Sequence, residues 1–237
     1  MFAQGKTSWG WISDILEFVY PPLCAGCGQY VENGSIVCEN CRDAIETFTR
    51  PFCLNCWQEV SSGKACPLCR EQSSLLYAYG DYAGPLREVV IQFKFKGVTS
   101  VAAFLAEAIS VRFGDSLRNL GADALVPIPL HSGREHVRGY NQARLLAREL
   151  SRHLMLPVED SLLSRVKRSR PQARLTEVKR RLNVRGVFFA SEPPESVNRV
   201  ILVDDVVTSG ATVLEAKGEL ELAGYRVPAA VAAAHGL

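Results

Sequence analysis

Apolar residues recur along this chain in two rhythms. Spacings of three and four predict amphipathic helices over Trp9–Tyr20 (Trp11, Ile15, Phe18 and Val19), Pro85–Lys96 (Leu86, Val89, Val90 and Phe93), Val98–Phe113, Tyr140–Leu154 and Val213–Leu222. Pro21-Pro22 stops the first, and Arg144, Arg148 and Arg152 share the polar side of the fourth. Thr176–Leu182 also reads as helical. Tyr77–Tyr82 alternates apolar and polar positions like a strand, while Ala124–Pro127 and Val200–Val203 are continuous apolar runs, the mark of strands buried on both faces. Gly186–Ala190 and Tyr225–Ala234 are further strands. Between these, 71–75 reads as a linker, His131–Gly139 as a loop, Leu162–Leu175 as a basic irregular stretch around Pro171, and Pro193-Pro194 as a surface turn. Strands alternating with helices predict an α/β fold, a parallel sheet flanked by helices.

Length and composition change this picture little. The 237 residues, 47% apolar, suit one sizeable domain plus a small one. No run reaches the roughly 18–20 apolar residues that span a bilayer. The N-terminal stretch is short, interrupted by Asp14 and Glu17, and lacks a basic leader and a small-residue cleavage site, so the chain reads as cytoplasmic. With no Lys/Arg-rich polar face, Trp9–Tyr20 is expected to pack on its own protein rather than on a membrane. Charge is more informative when mapped. His131–Arg185 holds 14 Lys and Arg against 5 Asp and Glu, net +9, within a chain of net +2. A field of that sign suits pyrophosphate or a nucleic-acid backbone.

All 8 cysteines fall in four CxxC pairs: Cys24/Cys27, Cys38/Cys41, Cys53/Cys56 and Cys66/Cys69. CxxC puts two thiolates on one tight turn, and four pairs make two tetrahedral four-thiolate sites for structural Zn²⁺. A disulfide scaffold is disfavoured without a secretory signal. Redox chemistry is disfavoured because four tandem copies exceed what thiol exchange needs. The gaps of 10 and 9 residues within the first two and last two pairs favour sequential pairing, with a cross-braced arrangement still open. Gly28 follows Cys27, but Trp57 stands at the matching place after Cys56, so the second module is expected to be less regular. So few residues make a small core, and metal is what should fold the module. With every coordination position filled, neither zinc is catalytic. The organisation expected is an N-terminal helix (1–22), a double zinc ribbon (23–72) and the α/β domain (76–237).

The remaining chemistry gathers at Arg199–Thr212: the apolar run, then Asp204 and Asp205, then Thr208-Ser209-Gly210-Ala211-Thr212 leading into a helix. Free N–H groups at a helix N-terminus, with the macrodipole behind them, attract an anion. Gly210 permits close approach, and Thr208, Ser209 and Thr212 offer hydroxyls. The two acids would repel a phosphate and suit sugar hydroxyls, directly or through Mg²⁺. The bland alternative is a capped helix after a sheet strand, with Thr208 or Ser209 as N-cap.

This stretch resembles the 5-phosphoribosyl-1-pyrophosphate (PRPP) loop of type I phosphoribosyltransferases. The resemblance implies that fold, with Asp204 and Asp205 holding ribose and Mg²⁺ in catalysis and Thr208, Ser209, Gly210, Ala211 and Thr212 anchoring the 5′-phosphate. It also implies a basic face for pyrophosphate: Arg134 and Arg138 on an early loop, Lys94, and Arg174 and Arg181 on a mobile lid within Arg165–Gly186. Those hypoxanthine-type enzymes that assist a purine carry an Asp where Thr208 stands here, which disfavours purine salvage. Ile91–Gly97 (IQFKFKG), Pro127–His131 (PIPLH), Arg138–Ala143 (RGYNQA) and the set Gln172, Leu175, Arg181, Asn183 and Gly186, joined to the Cys-rich start, resemble the ComF/GntX family, also called competence protein F. That family implies a zinc module on a phosphoribosyltransferase domain, a role in natural transformation, and handling of incoming single-stranded DNA beside other competence proteins. Three readings follow: a PRPP binder coupled to DNA handling, an active transferase releasing pyrophosphate to an unidentified acceptor, and a nucleic-acid adaptor. Few basic residues lie in the ribbons and few aromatics on the basic face, so any DNA binding should be non-specific and sensitive to salt.

Overall fold

The computed structural model describes residues 21–31, 34–61, 64–70, 74–130, 132–166 and 186–236, with Ser132 and Arg134 described in backbone only. The helix expected over Trp9–Tyr20, the lid residues Lys167–Arg185 with Arg174 and Arg181, and residues 71–73 lie outside this set. Among the described residues no helix is long and apolar enough to cross a membrane.

Chain order runs α1 (Glu39–Asp43), β1 (Phe52–Cys53), β2 (Leu75–Asp81), α2 (Gly84–Phe95), α3 (Val101–Arg118), β3 (Ala124–Pro127), α4 (Ser132–Arg138), α5 (Gln142–Leu154), β4 (Leu163–Arg165), β5 (Phe188–Ala190), β6 (Arg199–Val207), α6 (Ala211–Leu222) and β7 (Arg226–His235). A five-stranded sheet has the order β1-β2-β7-β6-β3, parallel except where β1 meets β2. Alternate residues of β6 and β7 serve two cores. Ile201, Val203, Ala229 and Val231 face α2, α3 and α5, while Val200, Leu202, Ala230 and Ala232 face α6 and β4–β5. Both faces are covered, which is why Val200–Val203 of β6 reads as unbroken apolar sequence. β7 is rich in Ala, so helices can approach its two faces closely.

The α/β class expected from the pattern is the one observed. Details differ for local reasons. β6 does not end at Val203 but continues to Val207, because β7 offers backbone partners as far as His235. α3 runs on past Phe113 to Arg118, carried by buried Leu117 and an Asp115–Arg118 pair at 2.7 Å. The stretch expected to be a loop, His131–Gly139, contains α4; Glu135 of this turn pairs with Arg144 of α5 at 3.1 Å. β4, within a stretch expected to be irregular, pairs antiparallel with β5 in a separate two-stranded sheet. Leu75, assigned to a linker, begins β2, where it is buried.

The cysteine-rich segment is stitched to the sheet rather than tethered beside it. β1 extends the sheet edge through Phe52↔Leu76 and Cys53↔Leu75. Phe48 N–H donates to Tyr79 O at 3.0 Å, and Asp81 N–H to Glu46 O at 2.9 Å. Gly80 makes this approach possible, since a Cβ there would lie 2.4 Å from the Glu46 carbonyl oxygen.

Candidate functional site

The eight thiols form two groups, Cys24/Cys27/Cys38/Cys41 and Cys53/Cys56/Cys66/Cys69, each with its ligand atoms within 4.8 Å of one another. The pairing is therefore sequential. A tetrahedron of Zn–S bonds of ~2.3 Å has S···S edges of about 3.8 Å. Cys27–Cys38 at 3.8 Å and Cys56–Cys66 at 3.6 Å match such edges, so the residues fit the ion. Before an ion binds, the clusters divide their protons unevenly. Burial works against the Cys24 thiolate, yet the N–H groups of Cys38, Cys27 and Gly26 outweigh it and bring its pKa down to about 6. Burial pushes Cys41 up, while hydrogen bonding with Cys56 and burial push Cys69 to about 12. A divalent cation would displace these shared protons.

The two knuckles share one backbone plan. Gly28 N–H donates to Cys24 O, and Trp57 N–H to Cys53 O, each at 2.8 Å. Gly28 has φ +74°, and Trp57 has φ +60°. A left-handed conformation is free for glycine and costs another residue about 1–2 kcal/mol. The irregularity expected of the second module is thus a side chain on an otherwise identical turn.

Asp204 and Asp205 stand near the carboxyl end of β6, where open α/β sheets place ligands. Their environments differ. Asp205 is paired with Lys94 of α2, Nζ to Oδ1 3.1 Å, both side chains less than a fifth exposed. Asp204 accepts the N–H of Asp205 at 2.8 Å. Burial, followed by the charge of Asp205, raises its pKa to about 8 from the ordinary 3.8. The folded chain therefore holds a proton there that the unfolded chain gives up between about pH 4 and 8, and stability falls as pH rises through that window. We expect the stability advantage of Asp204→Asn over the parent to be larger at pH 8.5 than at pH 4.5, by at least about 1 kcal/mol. Ligand-free melts at the two pH values check this; equal differences at both would contradict the assignment.

After β6 the chain bends through 208–210 and enters α6. The N-cap is Gly210, at φ +71°, and no side chain caps the helix. Thr208 and Ser209, the candidate caps, are not at that position. Ala211 N–H reaches Ser209 Oγ only at 3.5 Å. Thr208, Ser209, Gly210, Ala211 and Thr212 are thus gathered where an uncapped helix N-terminus follows the acid pair. Trp57 packs against this loop, and a Cβ on Gly210 would meet its ring atoms at 2.3 and 2.6 Å. Trp57 is also stacked on His235, centroids 4.8 Å apart and planes at 20°. Buried His235 donates from Nδ1 to Val207 O at 2.8 Å. Neither residue was a sequence candidate. The signal for Trp57 was its place opposite Gly28; His235 carried none.

The basic face is partly committed elsewhere. Lys94 is held by Asp205. Arg138 stacks over Phe95 at 4.7 Å and donates to Gln142 Oε1 at 3.1 Å. Lys94, Phe95, Arg138 and Tyr140 line one cleft of about 610 Å³. Arg144 is pinned between Glu135 and Asp160, at 3.1 and 3.0 Å. The structure therefore brings Lys94 to the acid pair and Arg138 to the same cleft as Lys94. Arg134 is described in backbone only, and Arg174 and Arg181 lie outside the described residues.

Residues 15–71 match the family model for a double zinc ribbon domain. Over most of its length the chain is similar to competence protein F of Haemophilus influenzae, 32% identical over 201 residues that cover 81% of this chain and 86% of that one. The chain belongs to the competence protein F family. Other members are similar at comparable distance: the DNA utilization protein YhgH of Escherichia coli K12 (30% over 203 residues, 82% and 88% of the two chains) and competence protein ComFC of Bacillus subtilis (31% over 191 residues, 74% of each). A looser structural likeness joins this family member to orotate phosphoribosyltransferase from Aeropyrum pernix, with TM-score 0.35 and 18% identity over 81% of this chain and 75% of that one.

Proposed function

We propose that this chain binds PRPP, or a related sugar phosphate, with Mg²⁺ at the loop after β6, and serves natural transformation by handling incoming single-stranded DNA in the cytoplasm. The observation that carries the first part is the uncapped N-terminus of α6 one short turn after an acid pair, Asp205 buried and Asp204 half-buried. The 5′-phosphate would lie on the backbone N–H groups and hydroxyls of 208–212, and the ribose hydroxyls would face Asp204 and Asp205. The donor set fits Mg²⁺, which takes one or two carboxylates and completes its shell with substrate oxygens and water. Asp204, whose proton a cation would displace, is the natural side for it. Bound Mg²⁺ would supply positive charge to the pyrophosphate end of the ligand. Lys94 and Arg138 would add charge from the neighbouring cleft, with Arg134, Arg174 and Arg181 completing the set. The second part is supported by family: relatives are named for competence and for DNA utilization.

Isothermal titration with PRPP and Mg²⁺ tests the site. We expect one ligand per chain, with affinity lost when Mg²⁺ is withheld; no heat at millimolar ligand would reject it. Pyrophosphate release measured in the same mixtures, across candidate acceptors, separates a binder from the alternative, an active phosphoribosyltransferase. Filter binding of single-stranded DNA at two salt concentrations tests the second part, with weaker retention expected at the higher salt.

A further inference from the structure

Trp57 sits in a backbone conformation that its counterpart Gly28 occupies freely. A bulky side chain held in the left-handed region persists only where its surroundings over-determine it. Those surroundings are visible. The indole lies on His235, which Phe52 of β1 approaches edge-on at 5.1 Å, and its outer ring atoms lie against Gly210, at the N-cap position of α6. His235 in turn is tied to the last residue of β6, Val207. One side chain thus bridges the second cysteine cluster and the loop that follows the acid pair. Gly210 is complementary to it, since any Cβ would fill the space the indole uses.

We propose that Trp57 is a positioning residue: held by the second metal cluster, it braces Gly210 and fixes the 208–212 loop in the shape that binds a sugar phosphate. The metal state of the ribbon then sets the order of a loop in the other module. The cluster fits zinc but does not act on the ligand; it orients the turn that carries the indole. The affinity part of this rests on the sugar-phosphate reading of the loop, whereas the bracing does not.

Trp57→Gly is the suitable variant, because it removes the indole while placing at φ +60° the residue that prefers it. The full zinc-loaded chain is compared with this variant by amide hydrogen exchange of the 208–214 segment, by metal analysis, and by titration with PRPP and Mg²⁺. We expect two zinc ions retained, exchange across the segment at least about tenfold faster, and affinity reduced roughly tenfold. Trp57→Phe, whose ring still stacks on His235 but reaches less far, should fall between the two. Removing zinc from the parent with a chelator should speed exchange in the same segment. A second variant covers the case in which Trp57→Gly loses its ion: Gly210→Ala should loosen the segment more in the parent than in Trp57→Phe, which lacks the outer indole atoms that the new Cβ would meet. Unchanged exchange in zinc-loaded Trp57→Gly, or equal effects of Gly210→Ala in both backgrounds, would overturn the bracing. Faster exchange in a parent that binds no PRPP would uphold the bracing and reject the ligand reading instead. Faster exchange with unchanged PRPP affinity would overturn the link between bracing and binding.

Discussion

Replacing Cys53 by Ser is expected to lower the zinc content from two ions per chain to one and to cost the protein most of its thermal stability. Cys53 has two duties at one position. It is a ligand in the second cluster, and it is a fully buried residue of β1, in register with Leu75 of β2. Apparent binding energies for structural zinc are on the order of 10 kcal/mol, comparable with the whole stability of a domain. With the ion gone, the loop that positions Phe52, Leu54 and Val60 loses its organiser, and those buried side chains lose their cover. A serine hydroxyl is a poor substitute for thiolate and would itself be buried. The melting midpoint should fall by at least about 10 °C, on the scale of a few degrees per kcal/mol for a chain of this size. Metal analysis and a thermal melt of the same sample check both parts. A melt indistinguishable from the parent's, or two ions still bound, would sink this account of the ribbon.

The second large effect belongs to the acid pair. The double variant Asp204→Asn with Asp205→Asn keeps side-chain volume and removes the charge of Asp205 and the one Asp204 would gain when a cation displaces its proton. We expect its dissociation constant for PRPP with Mg²⁺ to rise at least about 100-fold, since charged hydrogen bonds and ion contacts each contribute roughly 1.5–3 kcal/mol. The fold should survive, because the two substitutions act on stability in opposite senses. Asp204→Asn relieves a carboxyl that is held protonated by burial and by its neighbour's charge. Asp205→Asn deprives mostly buried Lys94 of its partner, at a cost of about 1–3 kcal/mol. Circular dichroism and isothermal titration separate the two outcomes. Retained affinity in a folded double variant would move the ligand away from these acids.

Formal charge also reads differently once the chain is folded. A segment of net +9 suggests a broad positive face. Within it, Arg144 and Arg152 turn out to be engaged by Glu135, Asp160 and Glu149. Those three acids are already subtracted in the +9, so pairing leaves the net charge as it is and decides instead which cations stay free to meet a ligand, which is a tertiary property.

Fold class and metal chemistry follow from the order of residues alone. Burial on both faces forces a parallel strand to be apolar throughout, so β3 and the first half of β6 announce themselves, and helices that cover them must carry apolar stripes at helical spacing. Thiolate pairs on tight turns have one common structural use, and their intervals favoured closure in sequence. The acid pair and the small-residue turn were visible for the same reason: their chemistry depends on neighbours along the chain. Other features needed the folded molecule, because they depend on partners distant in sequence. β6 runs on to Val207 because β7 lies beside it, α4 forms against Arg144, and Asp204 and Asp205 part company because Lys94 arrives from α2 and pairs with Asp205. Trp57 reaches Gly210 across more than half the chain. No local pattern encodes such a meeting, since it is fixed by how β1 joins the sheet edge and where that edge leaves the indole.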